Sequence, residues 1–109
     1  MSAAVLVIVN SPTSGPRRLR RWLSEAGIEV IEKLGQDGLP ETLDGVNGLV
    51  MLGGGFMPDD DSRAPWLAQE RELAREAILR DLPTLGICLG AQILTHVAGG
   101  KVRAKYGPA

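Results

Sequence analysis

The run Ala4-Val5-Leu6-Val7-Ile8-Val9 contains no polar position. A strand of that kind must be covered on both faces, which is the setting of a parallel sheet flanked by helices. It ends in Asn10-Ser11-Pro12-Thr13-Ser14-Gly15-Pro16, a turn-rich loop whose last proline suits the first turn of a helix. The predicted helix carries Leu19, Trp22, Leu23 and Ala26 at i, i+3, i+4 and i+7, with Gly27 placed to end it. Residues 28–32 alternate as a strand nearer a sheet edge would, and Gly48-Leu49-Val50-Met51-Leu52 predicts a third strand running into Gly53-Gly54-Gly55. Three glycines at a strand's carboxyl end provide for unusual backbone rather than packing. Asp59-Asp60-Asp61-Ser62 precedes a predicted helix from about 65 to 80, with Leu73, Ala74, Ala77 and Ile78 as its buried stripe and Glu76 and Arg80 as an i, i+4 ion pair. A fourth strand over about 83–87 and a helix over 89–98, ended by Gly99-Gly100, complete a β-α-β-β-α-β-α order. That alternation specifies an α/β sheet, largely parallel and right-handedly connected.

At 109 residues the chain is one domain's worth, long enough for a core that buries about 60–65% of the unfolded surface. With 44% hydrophobic and 23% charged residues and a net charge of −1, neither disorder nor a polyelectrolyte partner is indicated, so nucleic acid is not an expected partner. The apolar run from Ala3 to Val9 is too short to span a membrane, and no basic segment precedes it as in a signal peptide. The one cysteine cannot form an intrachain disulfide, so a reducing cytoplasm is the expected compartment.

That cysteine stands in Gly86-Ile87-Cys88-Leu89-Gly90-Ala91-Gln92, directly after the fourth strand. Gly-x-Cys-x-Gly has the form of a strand-to-helix elbow, which holds a nucleophile in a strained turn while small neighbours relieve crowding. A helix beginning at Leu89 aims unpaired N–H groups and its positive dipole end at the sulfur, favouring the thiolate, the form that attacks. The Leu89 N–H is then free to bond an oxyanion. Gly53-Gly54-Gly55, at the carboxyl end of another strand, is the natural source of a second donor at the same crevice. Gln92 follows one helical turn after Cys88, where its amide could bind a polar substrate. The alternative reading is a cysteine that merely packs as a small hydrophobe at a strand end.

Gly86-Ile87-Cys88-Leu89-Gly90-Ala91-Gln92, Leu52-Gly53-Gly54-Gly55 and Gly99-Gly100-Lys101-Val102 together resemble a class I, triad-type glutamine amidotransferase domain. The glycine loop followed by Phe56-Met57-Pro58-Asp59-Asp60-Asp61 is most similar to the stand-alone, guanylate-synthase-like members. The resemblance implies a flavodoxin-like, three-layer α/β/α fold, with residues 1–109 as the N-terminal part of the domain and the C-terminal half lacking. It implies that Cys88 attacks the glutamine side-chain amide, releasing ammonia and leaving a glutamyl thioester for water to cleave. Carried over by position, Leu89 and Gly55 supply the oxyanion-hole N–H groups with Gly54 beside them, and Gln92 contacts glutamine in a site that Gly53 and Gly90 also line. No cofactor or metal is expected. The implied partners are glutamine as substrate, a synthetase subunit or a complementing chain, and a second copy of the chain in a homodimer. The family's loop usually reads Ser-Gly-Gly-Pro where this chain has Gly53-Gly54-Gly55-Phe56, and its triad-completing His-x-Glu pair falls in the half not spanned here.

The only histidine, His96, is eight residues beyond Cys88, roughly 12 Å along a helix rising 1.5 Å per residue. A general base must approach to about 3 Å, so His96 is expected to face solvent or pack, and turnover by this chain alone is expected to be poor. Arg17, Arg18, Arg20 and Arg21 read as a solvated helix face, Asp59 to Asp61 as charge favouring the following helix start, and Trp22 and Trp66 as core or interface anchors. Two further readings stay open: a non-catalytic remnant that binds glutamine or a partner, and an elbow-cysteine peptidase or chaperone relative. The last group places His directly after the nucleophile, where this chain has Leu89.

Overall fold

The computed structural model describes residues 3–13 and 15–99. Four parallel strands, β1 (Ala4–Val9), β2 (Glu29–Leu34), β3 (Gly48–Met51) and β4 (Thr84–Gly86), form one sheet in the order β2-β1-β3-β4. Helix α1 (Arg17–Glu25) links β1 to β2, α2 (Leu67–Leu79) links β3 to β4, and α3 (Leu89–Val97) follows β4. The flavodoxin-like order places the reversal of strand order between β1 and β3, where loops leaving the two parallel strands diverge and open a crevice. Every strand's carboxyl end faces that same rim.

The alternation of side chains along β1 and β3 explains the layers. Leu6, Ile8, Leu49 and Met51 point to one face, where α2 contributes Leu67, Leu73, Ala74 and Ala77 and α3 contributes Leu89 and Ile93. Val7, Val9, Val50 and Leu52 point to the other, toward Leu19 of α1. The unbroken apolar run of β1 is thus covered on both sides, as its composition predicts. β2 is the exposed-edge strand that its alternation implies.

The two faces are unequally covered. Over β3 and β4 the α1 side is an open apolar groove of about 500 Å³, lined by Val5, Leu19, Leu23, Leu49, Pro83 and Leu85 among others. α1 has no buried residue, and Trp22 is 61% exposed, which overturns the core half of its expected place as a core or interface anchor. Ile78, expected in the buried stripe of α2, is 49% exposed. The stripe ends one residue earlier because α3 packs on Ala74 and Ala77 and leaves the next position outside. Gly27 and Gly99 adopt the positive φ that ends their helices, at 78° and 92°. Gly100, Lys101 and Val102 lie outside the described residues. No helix among those described is long and apolar enough to cross a membrane.

Candidate active site

The turn around Cys88 follows from two close approaches that only glycine permits. A Cβ on Gly86 would come within 2.5 Å of the Gly90 backbone carbon, because the strand runs directly beneath the first turn of α3. A Cβ on Gly90 would overlap Met51 O, so α3 rests its backbone on the carboxyl end of β3. Ile87 N–H donates to the same Met51 carbonyl at 2.9 Å, and Gly90 N–H donates to Ile87 O at 3.0 Å. Strand and helix are pinned together within two residues, and Cys88 takes up the turn at φ 54°, ψ −113°. A side chain rarely tolerates that backbone, at a cost of order 1–3 kcal/mol. The Cys88 thiol is exposed, and no side chain among the described residues hydrogen-bonds to it.

The glycine loop meets this turn from β3. A Cβ on Gly53 would lie 3.4 Å from Cys88 Cβ, and one on Gly54 would lie 2.9 Å from Asn10 Cβ and 3.4 Å from Leu89 Cδ2. Gly53, Gly54, Cys88 and Leu89 are therefore brought together. Gly55 borders open space, with its carbonyl accepting from Arg63 Nη2 at 3.3 Å. Leu89 buries its side chain at 2% exposure while its N–H, in the first turn of α3, meets no acceptor among the described residues. Gln92 is half-buried one turn on, its N–H donating to Cys88 O at 3.1 Å. A cavity of about 440 Å³ opens beside the cysteine, lined by Gly15, Arg17, Arg18, Gly53, Ile87 and Cys88, among others. Its lining combines Cys88, Gly53 and the two arginines with apolar Leu19, Leu52 and Ile87, whereas Gly54, Gly55, Leu89 and Gln92 are not among the residues that line it.

Sequence reasoning missed what lies behind the glycine loop. Asn10, 3% exposed, donates from Nδ2 to Leu52 O at 3.0 Å and to Glu70 Oε2 at 3.1 Å, and accepts at Oδ1 from Trp66 Nε1 at 2.9 Å. Glu70 is fully buried and its Oε1 has no partner among the described residues. Burial pushes its carboxyl up to about 7, against the opposing hydrogen bond from Asn10. The available signal was an acid at position 70 in register with Leu67, Leu73, Ala74 and Ala77 on the buried stripe of α2.

Other charged clusters resolve into ion pairs. Asp61 lies well before α2 and is held by Arg71 in a two-point contact of 2.6 and 2.8 Å, so the expectation that Asp59 to Asp61 serve the helix start is corrected for this residue. Arg71 keeps the Asp61 carboxyl below its ordinary range, with the charge of His96 adding to a lesser degree. Asp60 pairs with Arg63 at 3.2 Å. In α1, Arg20 reaches Glu32 at 3.0 Å and Arg21 reaches Glu25 at 3.3 Å, whereas Arg17 and Arg18 line the Cys88 cavity. Among the described residues no group of His, Cys, Asp and Glu is arranged to hold a metal ion.

A doubly wound parallel sheet with a strained cysteine at a strand-to-helix turn, beside a glycine loop from the neighbouring strand, defines an α/β protein with a cysteine elbow. The family model for "Glutamine amidotransferase class-I" matches residues 7–108, and the chain belongs to that family. It is 44% identical over 64 residues to a GMP synthase [glutamine-hydrolyzing] of Porphyromonas gingivalis, a match covering 59% of this chain and 11% of that protein. It is 30% identical over 92 residues to phosphoribosylformylglycinamidine synthase subunit PurQ of Haloquadratum walsbyi, covering 82% of this chain and 40% of that one. Among solved structures, a glutamine amidotransferase from Methylobacillus flagellatus superposes with a TM-score of 0.84 at 29% identity, over 93% of this chain and 41% of that chain. The chain thus spans less than half the length of each of these relatives.

Proposed function

We propose that this chain carries the nucleophile side of a glutamine-hydrolysing site, with Cys88 as the attacking group. The observation that carries the reading is the exposed Cys88 at φ 54°, packed beside Gly53 at a cavity that both residues line. In this reading the sulfur adds to the side-chain carbonyl carbon of glutamine, and the C=O pair moves onto oxygen. The Leu89 N–H and an N–H of the Gly53–Gly55 turn, with Gly54 or Gly55 as donor, receive that oxyanion. As the oxyanion collapses, the amide nitrogen takes up a proton and leaves as ammonia, and water then cleaves the thioester to glutamate and the free thiol. Gln92 sits on the first turn of α3, where it borders the amide end of the substrate, and Gly90, buried against Met51, acts only by letting that turn approach β3.

Neither the proton for the leaving ammonia nor the base that activates water comes from a group beside Cys88 among the described residues. His96 is half-buried near the end of α3, eight residues beyond Cys88. We therefore read residues 1–109 as the N-terminal part of the domain, with acid–base groups supplied by further polypeptide that covers the open groove beside β3 and β4. That polypeptide is the remainder of a longer chain, a complementing subunit or a second copy. One relative is named a glutamine-hydrolyzing synthase and another a synthase subunit. Those names support a synthetase partner that consumes the ammonia, and a cytoplasmic setting belongs to the same proposal. The absence of a side-chain partner for Cys88 among the described residues favours one second reading, a glutamine-binding module without turnover.

The test is covalent trapping by a glutamine-analogue chloroketone, followed by intact mass and peptide mapping. One adduct on Cys88, lost in Cys88→Ser, is expected. Ammonia release by the 109-residue chain alone would exclude the non-catalytic reading.

A further inference from the structure

The glycine turn beside Cys88 is tied at both ends to the start of α2. At its leading end, Leu52 O accepts from Asn10 Nδ2 at 3.0 Å; at its trailing end, the Phe56 ring meets the Trp66 ring edge-on at 5.6 Å. The orientation of the Asn10 amide is settled by chemistry. Trp66 Nε1 can only donate, so Asn10 must turn its oxygen toward Trp66, and its two N–H bonds then go to Leu52 O and Glu70 Oε2. Each hydrogen-bonding atom of the amide is used, in a residue only 3% exposed. Gly54 packs against the Cβ of this same residue, so a rotation of Asn10 would be felt directly in the turn.

We propose that Glu70 is a positioning residue: through Asn10 it fixes the Gly53–Gly54 main chain against Cys88. Glu70 does not line the Cys88 cavity and acts only through another side chain. A carboxyl group, fully buried on an otherwise apolar stripe with one oxygen unpartnered, is a costly choice for packing alone. Its one polar contact is to Asn10, and without it the second Asn10 N–H would be buried and unsatisfied. The position of the turn follows from these contacts. That the turn receives a glutamine-derived oxyanion rests on the function proposed above.

The test compares Glu70→Leu, which removes the acceptor, with Glu70→Gln, which keeps one. Amide hydrogen exchange at Leu52, whose N–H donates to Ile8 O at 3.1 Å at the leading end of the turn, reads the turn itself. For the chemistry, the rate of Cys88 alkylation by a glutamine-analogue chloroketone is divided by the rate with iodoacetamide at the same pH. That ratio cancels thiolate availability and responds only to recognition of the carbonyl and its oxyanion. Glu70→Leu is expected to speed exchange of the turn about tenfold and lower the ratio about tenfold, with Glu70→Gln within about twofold of the parent on both. If Glu70→Leu does not fold, Trp66→Phe, which frees Asn10 Oδ1, is expected to move both readouts about threefold in the same direction. A folded Glu70→Leu with unchanged exchange at the turn, or a Glu70→Gln as perturbed as Glu70→Leu, would overturn the proposal. If exchange responds but the parent protein shows no preference for the chloroketone, the positioning role stands and the glutamine reading falls.

Discussion

Cys88 holds a backbone conformation that the chain would not choose for a side chain, and the cause lies in its neighbours rather than in itself. Gly86 and Gly90 let α3 descend onto β4 and β3 until their backbones touch, which leaves one residue to turn the corner. Cys88→Gly should therefore stabilise the protein by about 1 kcal/mol in urea unfolding while abolishing thiol chemistry, since glycine accepts φ 54° without strain. Gly90→Ala should do the reverse, costing about 2–4 kcal/mol, because its methyl group would overlap Met51 O in a fixed strand. The elbow was legible in the sequence because everything that makes it, two glycines and a strand-to-helix change, lies within five residues. The roles of Asn10 and Glu70 were not, because their partners are 42 and 60 residues apart along the chain. No local pattern says that the end of β1 will meet the stripe of α2.

At the scale of elements, periodicity identified the inward face of each helix but not whether anything would cover it. The stripe of α2 is filled where α3 and β3 reach it and bare at Ile78. α1 presents Leu19 toward Val7, Val9, Val50 and Leu52, yet leaves Trp22 in solvent. Glu70 gives α2 a pH signature. Burial raises its carboxyl from an ordinary 4.5 to about 7, so the folded form keeps its proton over an interval where the unfolded chain has lost it. The associated stability is full below the unfolded value and is lost as pH rises through the folded one, by roughly 3 kcal/mol in all. Asp61, lowered by Arg71, acts in the opposite sense and only at the acid end. Urea midpoints of the parent protein should fall from about pH 4.5 to about pH 8, and those of Glu70→Gln should fall less over that range. Equal slopes for the two proteins would show that Glu70 titrates normally.

For the whole molecule, the imbalance between the two sides of the sheet is the dominant feature. One face is closed by two helices; the other has a groove of about 500 Å³ in which Leu85 is 47% exposed. An apolar surface of this kind either associates or binds apolar dyes. Leu85→Glu should reduce fluorescent apolar-dye binding and any concentration-dependent association in sedimentation, with little loss of stability because the site is half solvent-exposed already. An unchanged association constant would place the interface elsewhere. The parallel order and the two-sided burial of β1 followed from the apolar run alone, whereas the uncovered groove is a property of how many elements are present.

The central claim is that Cys88 and the amides around it recognise the amide end of glutamine. Its most direct measurement is the rate of Cys88 alkylation by the glutamine-analogue chloroketone with free L-glutamine or L-glutamate as competitor. Saturable labelling of Cys88 that L-glutamine slows and L-glutamate does not is the predicted result. Labelling at the rate of a free thiol, indifferent to both amino acids, would contradict it.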